Sequence, residues 1–213
     1  MLAVTRDANR KGRTMTEHRA EVVVLGMGPG GEDVAGKLAE AGLDVVGIEK
    51  QLVGGECPYW GCVPSKMMIR AADALAEGRR IPQLAGTSEV RADFAPVAQR
   101  IRDEATDNWD DQVAADRFIG KGGRLVRGQG RLVSRDTVAV GDDTYHASRA
   151  VVIAAGTHAS IPAIDGLAGK PFWTNREAIA ITEIPDSLIV MGGGAIRAEL
   201  PQAFARFGSP GPI

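Results

Sequence analysis

Aromatic side chains make up only 5% of the 213 residues, and the chain holds just two cysteines and three histidines. With His18, His146 and His158 as the only imidazoles, and none at ligand spacing from the cysteines, no metal site is expected. A surplus of one charge is also missing. The 25 Lys+Arg nearly cancel the 27 Asp+Glu, which leaves a net charge of -2 and no basic excess to hold a phosphate backbone, so nucleic acid is not expected as a partner. No apolar run reaches the roughly 18 residues a membrane span needs, so no membrane association is expected either. The first twenty residues carry Arg6, Arg10, Lys11, Arg13 and Arg19 without the apolar stretch of a secretory signal, and Asp7 and Glu17 count against an organelle presequence. Residues 1–18 are expected to be a disordered tail, with the second methionine, Met15, standing just upstream of the first strand.

What the chain does have is glycine, 27 residues of it, beside 44% hydrophobic residues. That balance suits an α/β protein with many tight turns better than a helical bundle. Residues 21–26 form a β-branched apolar run that suits a strand buried on both faces, and a helix is expected over about 30–42, ending at Gly42. A second apolar run, Leu43 to Ile48, completes a β-α-β unit with Glu49 and Lys50 at its carboxyl end. A helix is expected from Cys57 to about Glu77 and a covering helix over about 93–117. Short segments over 118–150 point to an antiparallel meander, and Ala150 to Ala155 to a return of the buried strand. Residues 188–194 repeat the pattern of strand followed by glycines seen at 22–28, as the start of a second nucleotide-binding unit would.

The cluster Gly26-Met27-Gly28-Pro29-Gly30-Gly31 gives the G-x-G-x-x-G spacing at 26, 28 and 31, after a strand and opening a helix. Gly26 allows the tight turn, Gly28 lets a pyrophosphate approach the backbone at the helix start, and Gly31 lets helix and strand pack closely. Glu49 lies where a carboxylate can accept hydrogen bonds from a ribose hydroxyl. An adenine dinucleotide is expected, and this fingerprint leaves NAD and FAD both open.

Cys57 and Cys62 lie in Gly54-Gly55-Glu56-Cys57-Pro58-Tyr59-Trp60-Gly61-Cys62-Val63-Pro64-Ser65-Lys66, at the start of a helix. Residues five apart on an ideal helix point roughly 140° apart, so a bridge requires Cys57 to sit in an irregular lead-in, which Pro58 and Gly61 make feasible. A disulfide closing so short a loop would stabilise little. Redox chemistry is therefore favoured over a structural staple, and a redox pair fits a cytoplasmic location.

With these motifs in place, the sequence resembles the FAD-dependent pyridine nucleotide-disulfide oxidoreductases, the family of lipoamide dehydrogenase, glutathione reductase and mercuric reductase. GGECPYWGCVPSK resembles the family signature GGTCxxxGCxPSK, and the likeness takes in VVVLGMGPGG, the Glu49 position, Gly128-Gln129-Gly130, VVIAAG at 151–156 and SLIVMGGGAI at 187–196. The resemblance implies an α/β fold, a Rossmann-like FAD-binding domain whose parallel sheet carries an antiparallel meander, followed by the start of a second Rossmann-like NAD(P) domain. The corresponding boundaries are 1–18 for the tail, 19–160 for the FAD domain with the cysteine pair, 161–186 for a connection and 187–213 for the incomplete NAD(P) domain. It implies Cys57 as the interchange thiol, Cys62 as the charge-transfer thiol beside the flavin, Lys66 at the flavin ring and Glu199 as the partner of that lysine. Cofactor contacts would come from Gly26, Gly28, Pro29, Gly30, Gly31, Glu49, Lys50, Gly55, Lys66, Gly130, Ala155 and Gly156, and from Gly192 and Gly194 in the second unit. Hydride would pass from NAD(P)H through FAD to the Cys57–Cys62 disulfide and on to a small-molecule or protein disulfide.

Some positions depart from the family pattern. Glu56 replaces the usual Thr near the pyrophosphate, where a carboxylate would repel unless it turns outward, and Ala155 replaces a common Thr. Arg197 stands where the family has Gly or Ala at a close helix–strand contact, and Pro201 follows within the same helix, which should kink or fray. The family is roughly twice this long. The rest of the NAD domain and the interface domain, which supplies the homodimer contact and a His-Glu acid–base pair, have no counterpart here, so no general base is assigned. The alternative expectation is a truncated, inactive chain that at most binds FAD weakly.

Overall fold

A computed structural model describes residues 15–209, and residues 1–14 of the expected tail lie outside it. The chain folds as two compact units, one of residues up to Val53 and Gln112–Gly156, the other of Gly54–Asp111 and Thr157 onwards. The cysteine segment lies in the second of these units and the six-stranded sheet in the first.

The first unit is built on β1 (Glu17–Leu25), α1 (Pro29–Glu40) and β2 (Val45–Glu49). β1 begins two residues inside the segment expected to be a tail. Gly42 ends α1 as expected: its N–H donates to Ala39 O at 2.9 Å and that of Leu43 to Leu38 O at 3.1 Å, the paired bonds of a Schellman cap. The sheet has six strands in the order β3-β2-β1-β6-β5-β4, with β3 at Arg124–Arg127, β4 at Gly130–Leu132, β5 at Thr137–Val140 and β6 at Asp143–Ile153. β3 pairs parallel with β2 and so leaves the meander, which consists of β4, β5 and β6. The strand expected at 150–155 is the second half of β6, one strand that is antiparallel to β5 at its start and parallel to β1 along its length. Val22 and Val24 pack with Ala35 and Ala39 of α1 and with Ala114, Ala115 and Phe118 of α5 (Gln112–Gly120), while Val23 and Val46 face the opposite side with Ile48, Val138 and Tyr145. Burial on both faces explains the uninterrupted apolar runs.

The second unit is helical. The helix expected from Cys57 breaks at Trp60–Gly61 into a single turn, α2 (Glu56–Tyr59), and the long α3 (Cys62–Leu84). Gly61 has φ -130° and ψ -112°, and a Cβ there would lie 3.0 Å from the Glu56 carbonyl oxygen, a tight approach at the point where the chain turns. The covering helix expected over 93–117 is likewise divided. It becomes α4 (Ala95–Arg100), a π-helical turn at Ile101–Ala105, a left-handed turn at Asp107–Trp109 and then α5 of the other unit. α6 (Asn175–Ala180) and α7 (Ala195–Phe207) complete the unit.

The expected strand over 188–194 is not present among the described residues, and Ile189 is 79% exposed there. α7 runs on through Pro201 without the expected fray. Its missing hydrogen bond, a cost of ~3 kcal/mol in a free helix, is offset by Leu200, Ala203 and Phe204 buried against Met68 and Ala72 of α3 and against Phe94. Lys66 pairs with Glu199 and Asp73 with Arg206, so residues seven apart on one helix meet residues seven apart on the other, and α3 and α7 run in the same direction.

The first turn of α1 carries the tightest contact in the first unit. A Cβ on Gly31 would overlap the Gly26 carbonyl oxygen, whereas one on Gly30 would meet nothing within 4 Å. Gly31→Ala is therefore expected to destabilise by about 1–3 kcal/mol or more through overpacking. Gly30→Ala should be neutral or stabilising by up to ~1 kcal/mol through helix propensity. Urea melts of the two variants beside the parent check the contrast.

Candidate functional site

In the first unit the chain leaves β1 between β2 on one side and β6 on the other, which makes the carboxyl end of β1 the switch point where open parallel sheets bind nucleotides. Three backbone bonds tie that edge together: Gly26 N–H to Ile48 O at 2.8 Å, Gly128 N–H to Glu49 O at 2.9 Å and Ala154 N–H to Leu25 O at 2.8 Å. Gly26 sits at φ +96°, and a side chain there would run into the Ala154 carbonyl. Gly28 caps α1 from extended backbone, Pro29 occupies the first turn, and Gly30 faces open space. Such a bare backbone loop at a helix start fits a pyrophosphate.

Glu49 is 8% exposed, and its carboxylate is shared between the two ends of this edge. Oε2 accepts from Met27 N–H at 2.7 Å and Oε1 from Gln51 N–H at 2.8 Å. The expected ribose ligand thus also holds the glycine loop, and each oxygen keeps a second lone pair for a hydroxyl donor. Lys50 is exposed at the end of β2. Gly130 opens β4, and a Cβ there would strike Leu25, while Ala155 and Gly156 follow β6 as exposed residues. Glu32, in the first turn of α1, is held by Arg117 of α5 at 2.5 Å, which neutralises the one acidic side chain in that turn.

In the second unit Cys57 is half-buried in α2 and Cys62 is exposed as the first residue of α3, both as free thiols. A side-chain hydrogen bond to Cys62, then partial burial and the proximity of the second sulfur, push the Cys57 thiol above the ordinary cysteine range. Lys66 lies one turn along α3, and its Nζ meets Glu199 Oε2 at 2.6 Å, as the resemblance implies. With side chains 61% and 42% exposed, this pair contributes at most ~1 kcal/mol to stability, so its effect is to orient the lysine. Gly55 precedes α2 at φ +65°. Gly192 and Gly194 lie before α7, and the Arg197 side chain fills the space beside Gly192.

Several residues at this site escaped the sequence reading. The Glu56 carboxylate accepts from Arg176 Nε at 2.8 Å and from Asn175 Nδ2 at 3.1 Å, which answers the expected conflict over its charge. The Arg176 guanidinium lies 4.1 Å above the Trp60 ring. Trp109, from the left-handed turn, donates its Nε1–H to Tyr59 O at 3.2 Å, and Tyr59 donates its hydroxyl to Asp110 O at 3.4 Å. Asp107, Asn108 and Trp109 hold φ of 48°, 53° and 57°, a conformation that costs about 1–2 kcal/mol per residue and is found where surroundings over-determine it. The local signal for Arg176 was present as Thr174-Asn175-Arg176-Glu177, the T-x-x-E of a capping box before an apolar pair, which α6 forms.

A family-wide sequence profile described as pyridine nucleotide-disulphide oxidoreductase matches residues 20–210. The dihydrolipoyl dehydrogenase of Halobacterium salinarum is 30% identical over 203 residues, covering 88% of this chain and 40% of that protein. The mercuric reductase of Shewanella putrefaciens is 33% identical over 213 residues, covering 95% of this chain and 38% of that one. The flavoprotein disulfide reductase RclA from Escherichia coli, solved as a Cu(II) complex, superposes with a TM-score of 0.76 at 24% identity over 91% of this chain and 42% of its own, a likeness of fold. The chain thus spans about two-fifths of the length of the relatives it matches. Its glycine loop at a sheet switch point, its paired thiols and the match along nearly its whole length place it in the pyridine nucleotide-disulphide oxidoreductase family.

Proposed function

We propose that this chain is the FAD-binding and dithiol-bearing part of a flavin-dependent NAD(P)H:disulfide oxidoreductase of the dihydrolipoyl dehydrogenase kind. The observation that carries this reading is the placement of Cys57 in the single turn α2 and Cys62 at the head of α3, with Lys66 one turn along and fixed by Glu199. In the first unit the backbone from Gly26 to Gly31 would hold the pyrophosphate and Glu49 the ribose, with Lys50 at the rim. Bound FAD would supply the two-electron relay between NAD(P)H and the cysteines.

The chemistry of the chain's own residues is thiol–disulfide exchange. The Cys57 thiolate attacks one sulfur of the external disulfide, forming a mixed disulfide and releasing the other sulfur as a thiolate. Cys62 then attacks Cys57, which closes the Cys57–Cys62 bond and releases the second product thiol. A small-molecule or protein disulfide is the proposed substrate, a homodimer the proposed assembly through a domain outside this chain, and the cytoplasm the proposed location. A second reading, weak FAD binding without turnover, is favoured by residues 187–193, which form no strand from which a second nucleotide unit could be built.

The absorption spectrum of the purified chain after FAD loading and removal of free cofactor tests the proposal. A retained flavin band that gains a long-wavelength charge-transfer shoulder on adding a dithiol is the expected result. A colourless protein would overturn cofactor binding by this chain. The 213-residue chain alone is expected to oxidise NADH or NADPH no faster than free flavin does, and disulfide-dependent NAD(P)H consumption measures this.

The thiols give a further test. Because the hydrogen bond to Cys62 is the largest cause holding Cys57 protonated, Cys62→Ala should lower the Cys57 pKa and raise its thiolate fraction at neutral pH. A hydrogen bond of about 0.5–1.5 kcal/mol translates into a roughly two- to tenfold larger thiolate fraction. The lower nucleophilicity of a less basic thiolate offsets about half of that gain on a logarithmic scale. Iodoacetamide labelling of Cys57 at pH 7 should therefore be faster in Cys62→Ala, and an unchanged or slower rate contradicts the assignment.

A further inference from the structure

The turn that carries Cys57 cannot hold itself. α2 has four residues, its cap is Gly55 with no side-chain hydrogen bond, and Trp60-Gly61 follows it, whereas isolated helices shorter than ~12 residues are marginal in water. Tyr59 ties the end of the turn to Trp109 and Asp110, and the anchors on either side of Cys57 lie about 120 positions away in the dipeptide Asn175-Arg176. Arg176 takes hold of Glu56 at the front of the turn, and Asn175 Nδ2 reaches both Glu56 Oε2 at 3.1 Å and Trp60 O at 2.9 Å at the back. The guanidinium also covers the Trp60 ring at 4.1 Å. Cys57 lies between the two points that are held. The dipeptide is itself fixed, since the Arg176 N–H donates to Thr174 Oγ1 at 3.2 Å and the Thr174 N–H to Glu177 Oε2 at 2.7 Å, with Ala178 and Ile179 buried behind it.

We infer that Asn175 and Arg176 are positioning residues for the Cys57 thiol: by clamping Glu56 and Trp60 they keep the Cys57 sulfur within bonding reach of Cys62 and so set how readily the two thiols interconvert with a disulfide. The Glu56 and Arg176 side chains are 40% and 32% exposed, and ion pairs this open add little to global stability. Their effect is local, at the two ends of a segment whose only other anchor among the described residues is the buried Tyr59, bonded to Trp109 and Asp110. The inference rests on the redox reading of the cysteine pair for one of its two readouts and is independent of it for the other.

The test variant is Glu56→Gln/Arg176→Ala in the full chain, which removes equal and opposite charges and so leaves the net charge unchanged. In a dithiothreitol redox buffer, oxidised dithiothreitol is reduced as the two cysteine thiols lose two protons and two electrons and the Cys57–Cys62 bond closes. The equilibrium constant for this exchange is expected to fall roughly tenfold in the double variant, within the range of energetic coupling between contacting residues. Iodoacetamide labelling of Cys57 at one fixed pH is expected to rise severalfold. The single variants Glu56→Gln and Arg176→Ala should each show most of the double variant's effect, because breaking the clamp once is enough. Thermal melts establish that the variants are folded, and Arg176→Lys, which keeps the charge and loses the fork, gives the same readouts should the alanine variant fail to fold. A folded double variant with the parent's redox equilibrium and labelling rate overturns the inference. If the parent itself forms no Cys57–Cys62 disulfide in oxidised buffer, the redox reading of the pair falls, and the clamp stands or falls on the labelling rates.

Discussion

The first unit depends on a contact between two pieces of backbone. Where Gly31 passes the Gly26 carbonyl there is no room for a Cβ, and this nearness lets α1 begin directly off the end of β1. The consequences spread outward through hydrogen bonds and not through bulk. Gly26 can then bond across to Ile48, Met27 to the Glu49 carboxylate, and Glu49 O to Gly128, so the ends of β1, β2 and β3 are set by one turn. Methyl-sized changes at Gly26 and Gly31 are resisted by main chain, which cannot change rotamer to relieve them. The same bareness is what a pyrophosphate needs from a helix start.

The second unit uses charge where the first uses close approach. Along α3 and α7 the pairs Lys66–Glu199 and Asp73–Arg206 have opposite polarity and equal seven-residue spacing. Sliding either helix by one such interval would bring Lys66 to Arg206 or Asp73 to Glu199, like charge against like, so the pairs specify register more than they stabilise. Between them Met68, Ala72, Leu200, Ala203 and Phe204 supply the apolar burial. Lys66 is held in a defined place at the head of α3 because α7 can dock in only one register.

What could be read from the sequence was what local physics fixes. The glycine spacing at 26, 28 and 31 and the burial of β1 and β2 on both faces follow from constraints within a few residues, and each element formed within a few residues of its expected bounds. The breaks were illegible for a definite reason. The apolar spacing from Cys57 to Glu77 and from Phe94 to Phe118 is helical on either side of Gly61 and of Asp107–Trp109, and periodicity carries no mark of a turn whose cause is a distant partner. β3 joined the parallel side because Val46 to Glu49 offered it an open edge, a pairing that no segment-by-segment reading contains. The Arg176–Glu56 contact spans 120 positions, and only the capping box around Thr174 hinted that this residue would be held still.

Arg197 and Pro201 look like errors if α7 is taken for the first helix of a second nucleotide-binding unit, since the one clashes at a close strand contact and the other interrupts the hydrogen-bond ladder. Both are accommodated when α7 is taken for what it is among the described residues, a helix of the cysteine-bearing unit. No strand forms over 187–193 for Arg197 to strike, and its side chain instead lies along Gly192. Pro201 is buried beside Leu200, and the face of α7 that packs on α3 is continuous through it. The same helix brings Glu199 to Lys66 of α3. The contacts of Glu56 with Arg176 and of Trp60 with Asn175 gather in the same unit around Cys57. The turn that carries Cys57 is thus held by side-chain charge and by a cation over a ring, whereas the glycine loop is held by main chain against main chain.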